Sequence, residues 1–140
     1  MKKLLALFLL FSLAGCERQA LNDPDIVKRD GLTFLAHSTE PLTADVMEWH
    51  ENGQPYTQFT VIEGKVEGLW RRWHENGQLK EEVNVVNDKR EGLYRRWHEN
   101  GQLDSEVNMV NDKAEGLYRR WHENGQLKEE RTYANGKRVD

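Results

Sequence analysis

Trp73-His74-Glu75-Asn76-Gly77-Gln78 is one of four identical hexapeptides, the others being Trp49–Gln54, Trp97–Gln102 and Trp121–Gln126. Successive copies are 24 residues apart without a slip, and a fixed period of this length marks a repeat array. A second marker recurs between them: Gly68-Leu69-Trp70-Arg71-Arg72, Gly92-Leu93-Tyr94-Arg95-Arg96 and Gly116-Leu117-Tyr118-Arg119-Arg120. Asn-Gly is the strongest short signal for a two-residue type I′ hairpin turn, because both central residues need positive φ. Asn52-Gly53, Asn76-Gly77, Asn100-Gly101 and Asn124-Gly125 are therefore the expected hairpin tips.

Pairing outward from such a tip sets His74 against Leu79, Trp73 against Lys80, Arg72 against Glu81, Arg71 against Glu82 and Trp70 against Val83. In the last copy it sets Arg120 against Glu129 and Arg119 against Glu130. Opposed charges across a strand pair contribute about 0.2–1 kcal/mol each. Turn chemistry and charge thus agree on one register. Glu63-Gly64, Asn87-Asp88, Asn111-Asp112 and Asn135-Gly136 supply the turns between hairpins; two lack glycine, but Asn and Asp tolerate left-handed geometry. Glycine inside each repeat costs a helix about 1 kcal/mol. The expected fold is all-β: an elongated single-layer antiparallel meander of 24-residue β-hairpins, eight repeat strands plus a leading strand. At about 4.8 Å per strand it is roughly 40 Å long.

Alternation puts Trp70, Arg72 and His74 with Leu79, Glu81, Val83 and Val85 on one face, and Leu69, Arg71 and Trp73 with Lys80, Glu82 and Val86 on the other. The Trp70/Tyr94/Tyr118 row is the expected buried one. The Trp49/Trp73/Trp97/Trp121 row lies on the opposite face, with Lys80 and Lys128 over two of its rings.

The N-terminus reads differently. Lys2 and Lys3 precede an apolar run, Leu4–Leu13, broken only by Ser12. A spanning helix needs roughly 20 residues, so residues 1–15 read as a secretory signal peptide. Leu13-Ala14-Gly15-Cys16 resembles the bacterial lipobox, in which the cysteine is lipidated. Cys16 is the only cysteine, so no internal disulfide competes for it. Each buried CH2 contributes about 0.8 kcal/mol, and several acyl chains make a durable anchor. Glu17, rather than Asp, favours the outer membrane in a Gram-negative envelope. Residues 16–30 read as the lipidated cysteine and a polar tether, and residues 31–140 as the repeat domain, with a short strand at Leu32–Leu35 and the array running from Ala44 to Val139. Without Lys2 and Lys3 the chain keeps 18 basic against 24 acidic residues, a net charge of −6. That balance argues against nucleic acid as a partner.

The pattern Gly-x-aromatic-x-x-aromatic-x-x-Asn-Gly-x-Leu-x-x-Glu, followed by a turn and Lys-x-x-Gly, resembles the bacterial MORN-repeat variant. Residues 68–82, 92–106 and 116–130 carry it, and 44–58 carries a weaker form. Trp-His stands where the family shows two adjacent aromatics. Related proteins are labelled YwqK-type antitoxins. The resemblance implies hairpin repeats and a binding or scaffolding role, with no catalytic residues and no cofactor.

His50, His74, His98 and His122 invite a metal reading. Successive copies lie about 10 Å apart, two strands away, while zinc bonds are about 2 Å long; solvated histidines near a turn fit better. Glu75, Glu99 and Glu123 adjoin histidines but point to the opposite face, and no phosphate loop or nucleophile elbow occurs. The arginine pairs are mostly neutralised by Glu81, Glu82, Glu129 and Glu130. Ser105 replaces glutamate opposite Arg96, which makes Arg96 the expected unpaired charge. Trp49, Trp73, Trp97, Trp121 and Arg96 form the expected binding surface, since aromatics are enriched in interface hot spots. The reading is a lipid-anchored envelope protein that binds another protein. The alternatives are an antitoxin or immunity protein acting on a toxin, and a passive spacer.

Overall fold

The computed structural model describes residues 26–140 in full and Leu5–Leu9 and Ala20–Asn22 by backbone. Cys16 and most of the expected signal peptide lie outside the described residues. Eight strands carry the repeats: β5 (Ala44–Trp49), β6 (Pro55–Ile62), β7 (Lys65–Trp73), β8 (Leu79–Val86), β9 (Lys89–Trp97), β10 (Leu103–Val110), β11 (Lys113–Trp121) and β12 (Leu127–Ala134). Each pairs antiparallel with its neighbour in chain order. A short β13 (Lys137–Arg138) follows β12, and β1 (Leu5–Leu9) and β2 (Ala20–Asn22) extend the sheet beyond β5. The architecture is the elongated all-β meander expected.

The leading strand departs from that plan. β4 (Leu32–Leu35) pairs not with the sheet but with β3 (Ile26–Arg29), within the stretch expected to be a tether. Asp30 and Gly31 link them with φ of 51° and 77°, a two-residue I′ geometry. Ile26 and Leu35 of this hairpin pack on Leu42, Ala44, Val46 and Val61, of which the last three are fully buried. The single layer is therefore doubled over the first repeat. Three backbone bonds fasten the hairpin's return: Thr33 donates to Gly64, Leu42 to Thr33 and Gly64 to Leu42. Beyond it, Val83, Val85, Val107 and Met109 continue the buried column on the same face.

The turns between hairpins, and not those at the hexapeptide Asn-Gly as expected, take the two-residue I′ form. Asn87 and Asp88 have φ of 50° and 66°, and Asn111 and Asp112 have 48° and 66°, so the connections lacking glycine are I′ turns. At Asn76-Gly77 only Gly77 is left-handed, at 82°. His74 donates to Gln78 and accepts from Gly77, which makes a three-residue loop ending in a left-handed glycine, with an adjoining bulge. The Asn76 side chain is the cause. Its Oδ1 accepts from the Gln78 amide at 3.0 Å and its Nδ2 donates to the Glu99 carbonyl at 2.7 Å.

The longer loop shifts the register only near the tip. Trp70↔Val83, Arg71↔Glu82 and Arg72↔Glu81 stand as expected, but Trp73 meets Leu79. Lys80 is bulged out, and among the described residues no lysine lies over a tryptophan ring; the cations over rings are arginines, such as Arg72 over Trp70 at 4.9 Å. Between hairpins a second irregularity appears. Two extra residues of β7 fit between the pairs Gln58↔Arg71 and Thr60↔Glu67, with Gly68 at φ 80°.

Candidate functional site

The hexapeptide margin is the most repetitive surface of the molecule. His50 Nε2 lies 3.0 Å from the Trp73 carbonyl, His74 Nε2 2.9 Å from that of Trp97, and His98 Nε2 3.0 Å from that of Trp121. A carbonyl only accepts, so Nε2 carries the hydrogen in each. Asn52, Asn76 and Asn100 donate Nδ2 to the carbonyls of Glu75, Glu99 and Glu123 at 2.7–2.8 Å. Two of the six positions thus bond each repeat to the next, and the internal histidines are staples rather than solvated side chains. Among the described residues no three His, Cys, Asp or Glu are grouped to hold a metal.

The arginine pairs form a ladder across the ribbon. On one face Arg71 Nε donates to Glu82 at 2.8 Å, Glu106 lies between Arg95 at 3.7 Å and Arg119 at 3.6 Å, and Glu130 meets Arg119 at 3.1 Å. On the other, Glu81 stands 3.9 Å from Arg72 and 3.7 Å from Arg96. Arg96 is therefore not the unpaired charge that Ser105 implies; the preceding hairpin supplies its carboxylate, because β8 and β9 pair as β7 and β8 do. Tyr94 donates to Glu81 at 3.0 Å, and burial first, then the Glu81 charge, raises its pKa above the usual 10. Arg72 Nε is buried without a partner.

The third repeat breaks the pattern at a second place. Asp104 stands where Lys80 and Lys128 occur in other copies. It is 8 % exposed, accepts from Arg120 at 3.1 Å and lies 3.6 Å from His98 Nε2. The hydrogen bond to Asp104 raises the Arg120 pKa further. Leu-Asp-Ser-Glu against Leu-Lys-Glu-Glu carried that signal in the sequence.

Trp49, Trp73, Trp97 and Trp121 are all half-buried, as are Trp70, Tyr94 and Tyr118, so neither aromatic row is distinctly the core. More exposed are Leu69, Leu93 and Leu117 at 38–43 %, with Ile62, Val86 and Val110 at 42–47 %. All six point away from the β3–β4 hairpin, on the face of Arg71 and Trp73 by strand alternation. Sequence reasoning placed Leu69 and Val86 on that face but overlooked them as a surface; the constant leucine after each Gly68-type glycine was the available sign. At the free end an open cavity of about 580 Å3 is lined by His98, Arg120, Trp121, His122, Asn124 and Lys128, among others.

The family model of the MORN repeat variant matches residues 66–87, 90–111 and 114–135. These are MORN-variant repeats. The first hairpin, with Ala44 for glycine and Pro55 for leucine, lies outside the matched spans. No curated protein and no solved structure matches the chain. The MORN-variant match and the bonded hexapeptides describe a repeat scaffold.

Proposed function

We propose that the protein is a lipid-anchored envelope scaffold whose MORN-variant array binds another protein through the face turned away from the β3–β4 hairpin. The observation that carries the binding face is the alignment of Leu69, Leu93 and Leu117 with Ile62, Val86 and Val110, all more than a third exposed. Single exposed apolar residues are ordinary, but a contiguous patch marks an interaction surface. The half-buried Trp73 and Trp97 flank it on the same face and add contact area. Anchoring rests on Cys16 in its lipobox-like setting. No described helix is long and apolar enough to cross a membrane. An antitoxin role is the second reading; it requires a toxin in the envelope, which a toxin-like reading frame beside the gene would supply.

The test combines two variants of the native chain. Cys16→Ser should move the protein from the membrane to the soluble exported fraction. Leu69→Ser with Leu93→Ser and Leu117→Ser should abolish cross-linking to envelope proteins while far-UV circular dichroism and Tm stay near wild type. Unchanged membrane retention of the first, or unchanged cross-linking of the second, refutes the corresponding half.

A further inference from the structure

Each internal junction between repeats is closed by the same two side-chain bonds, histidine Nε2 to the next tryptophan carbonyl and asparagine Nδ2 to the next glutamate carbonyl. The two ends of the array hold the halves of a junction not made. At the tail, the His122 ring nitrogens and Asn124 Nδ2 have no acceptor among the described residues, and they border the open cavity. At the head, no described side chain donates to the Trp49 or Glu51 carbonyl. A glutamine of the preceding repeat approaches Gly77, Gly101 and Gly125, whereas the space beside Gly53 is open.

We propose that the tail of one copy docks on the head of a second copy, with His122 and Asn124 donating to the Trp49 and Glu51 carbonyls of that copy. The strand edges fit the same geometry. β13 and its extension cover β12 only over Thr132–Ala134, leaving the edge from Leu127 to Arg131 open for another strand. β5 of the second copy is the sequence equivalent of β7, β9 and β11, which fill that place inside the array. The register of β10 on β11, Ser105↔Arg120 and Glu106↔Arg119, transfers to Glu129 facing Glu48 and Glu130 facing Met47. A tail-to-tail pairing would set donors against donors. A chain cannot bond its own ends, which lie about seven strand spacings of 4.8 Å apart. The head-to-tail contact is heterologous, so it adds copies in a row rather than stopping at two.

In the full chain the head is occupied. β1 runs along the outer edge of β5, Leu5↔Glu48 to Leu9↔Ala44. The junction therefore forms only after residues 1–15 are gone, and in this it rests on the export reading above. The segment 137–140 competes with Pro41–Thr43 of the second copy for the edge at Thr132–Ala134.

The experiment is sedimentation velocity on residues 16–140 carrying Cys16→Ser, against the full chain. The buried core of the described residues lies between Thr33 and Met109, so the shorter chain keeps it. The shorter chain should show a mass that rises with concentration, and the full chain should stay monomeric. His122→Ala with Asn124→Ala removes two hydrogen bonds and should weaken association about tenfold or more. Glu48→Arg replaces a like-charge pair with the arginine found at positions 72, 96 and 120, and should tighten it about fivefold. A shorter chain that is monomeric throughout, association indifferent to the His122/Asn124 double variant, or equal association of the full chain overturns the proposal. The truncation is made in the gene, so such a failure leaves the export reading standing; that reading falls on the fractionation of Cys16→Ser.

Discussion

The two long margins of the ribbon solve one problem by different means. On the hexapeptide margin the chain reverses through three-residue loops, and side chains reach across to the next repeat. On the opposite margin it reverses through two-residue I′ turns, and the side chains there bond across the same gap more variably. Asp88 and Asp112 accept from the amides of Val66 and Arg90 at 3.0–3.1 Å, and Lys65, Lys89 and Lys113 donate to Asn87, Asn111 and Asn135. In the first three copies the histidine and asparagine of the hexapeptide donate to a backbone that has the same shape each time. The I′ margin first of all asks for residues that accept positive φ, and Glu-Gly, Asn-Asp and Asn-Gly all serve, with side-chain bonds that differ from copy to copy.

Glycine substitution should break this contrast most severely at the margin that looks less constrained. A Cβ on Gly64 would meet Leu32 Cβ at 2.9 Å and the Thr33 amide nitrogen at 3.1 Å, at a φ of 82°. Backbone cannot yield as a side-chain tip can. Left-handed strain of about 1–2 kcal/mol adds to an overpacking cost of about 1–3 kcal/mol, so Gly64→Ala should cost about 3 kcal/mol and loosen the β3–β4 hairpin. Gly53→Ala, at the same φ with open space around it, should cost only about 1 kcal/mol. Urea denaturation of both variants tests this; equal losses would show that φ alone matters and that the hairpin is not seated through Gly64.

A smaller effect separates the interior of the hexapeptide margin from its end. His74→Ala leaves the half-buried Trp97 carbonyl without its donor, a loss of about 1–2 kcal/mol. His122→Ala removes a ring with no acceptor among the described residues and should stay within about 0.5 kcal/mol at concentrations where the chain is monomeric. Two equal losses in thermal denaturation would mean that the histidines act by packing and not by bonding the next repeat.

The fold was legible because three independent signals coincide in the sequence: a period, a turn dipeptide and charges that fall opposite one another. The register survived even though the turn was misread. One residue added to the loop is taken up by the bulge at Lys80, and Arg72↔Glu81 is regained one step later. What could not be read was anything that depends on the neighbouring repeat. Pairing within a hairpin leaves Arg96 facing Ser105, but the strand on its other side brings Glu81. The same blindness made the histidines look solvated, since their acceptors are backbone carbonyls 23 residues further on, and a carbonyl has no letter in the sequence. The strand at Ile26–Arg29 was missed because it is too short to show a period, and its burial comes from the first repeat rather than from its own pattern.

The least costly change sharpens the contrast between margins by altering the same residue type on each. Asn100 is tied at both ends, donating to the Glu123 carbonyl at 2.8 Å and accepting from the Gln102 amide at 2.9 Å. Asn100→Gly should therefore cost about 1–2 kcal/mol. Asn111 holds φ at 48°, and its side chain has only an exposed contact with Lys89 at 3.4 Å. For Asn111→Gly, relief of left-handed strain offsets the extra entropy of an unfolded glycine, and the net change should lie within about 0.5 kcal/mol of zero. Chemical denaturation with matched m-values separates the two outcomes. A large loss for Asn111→Gly would mean that the Lys89–Asn111 contact ties the I′ margin as firmly as the asparagine bonds tie the other, and the contrast between an invariantly bonded margin and a variably bonded one would go.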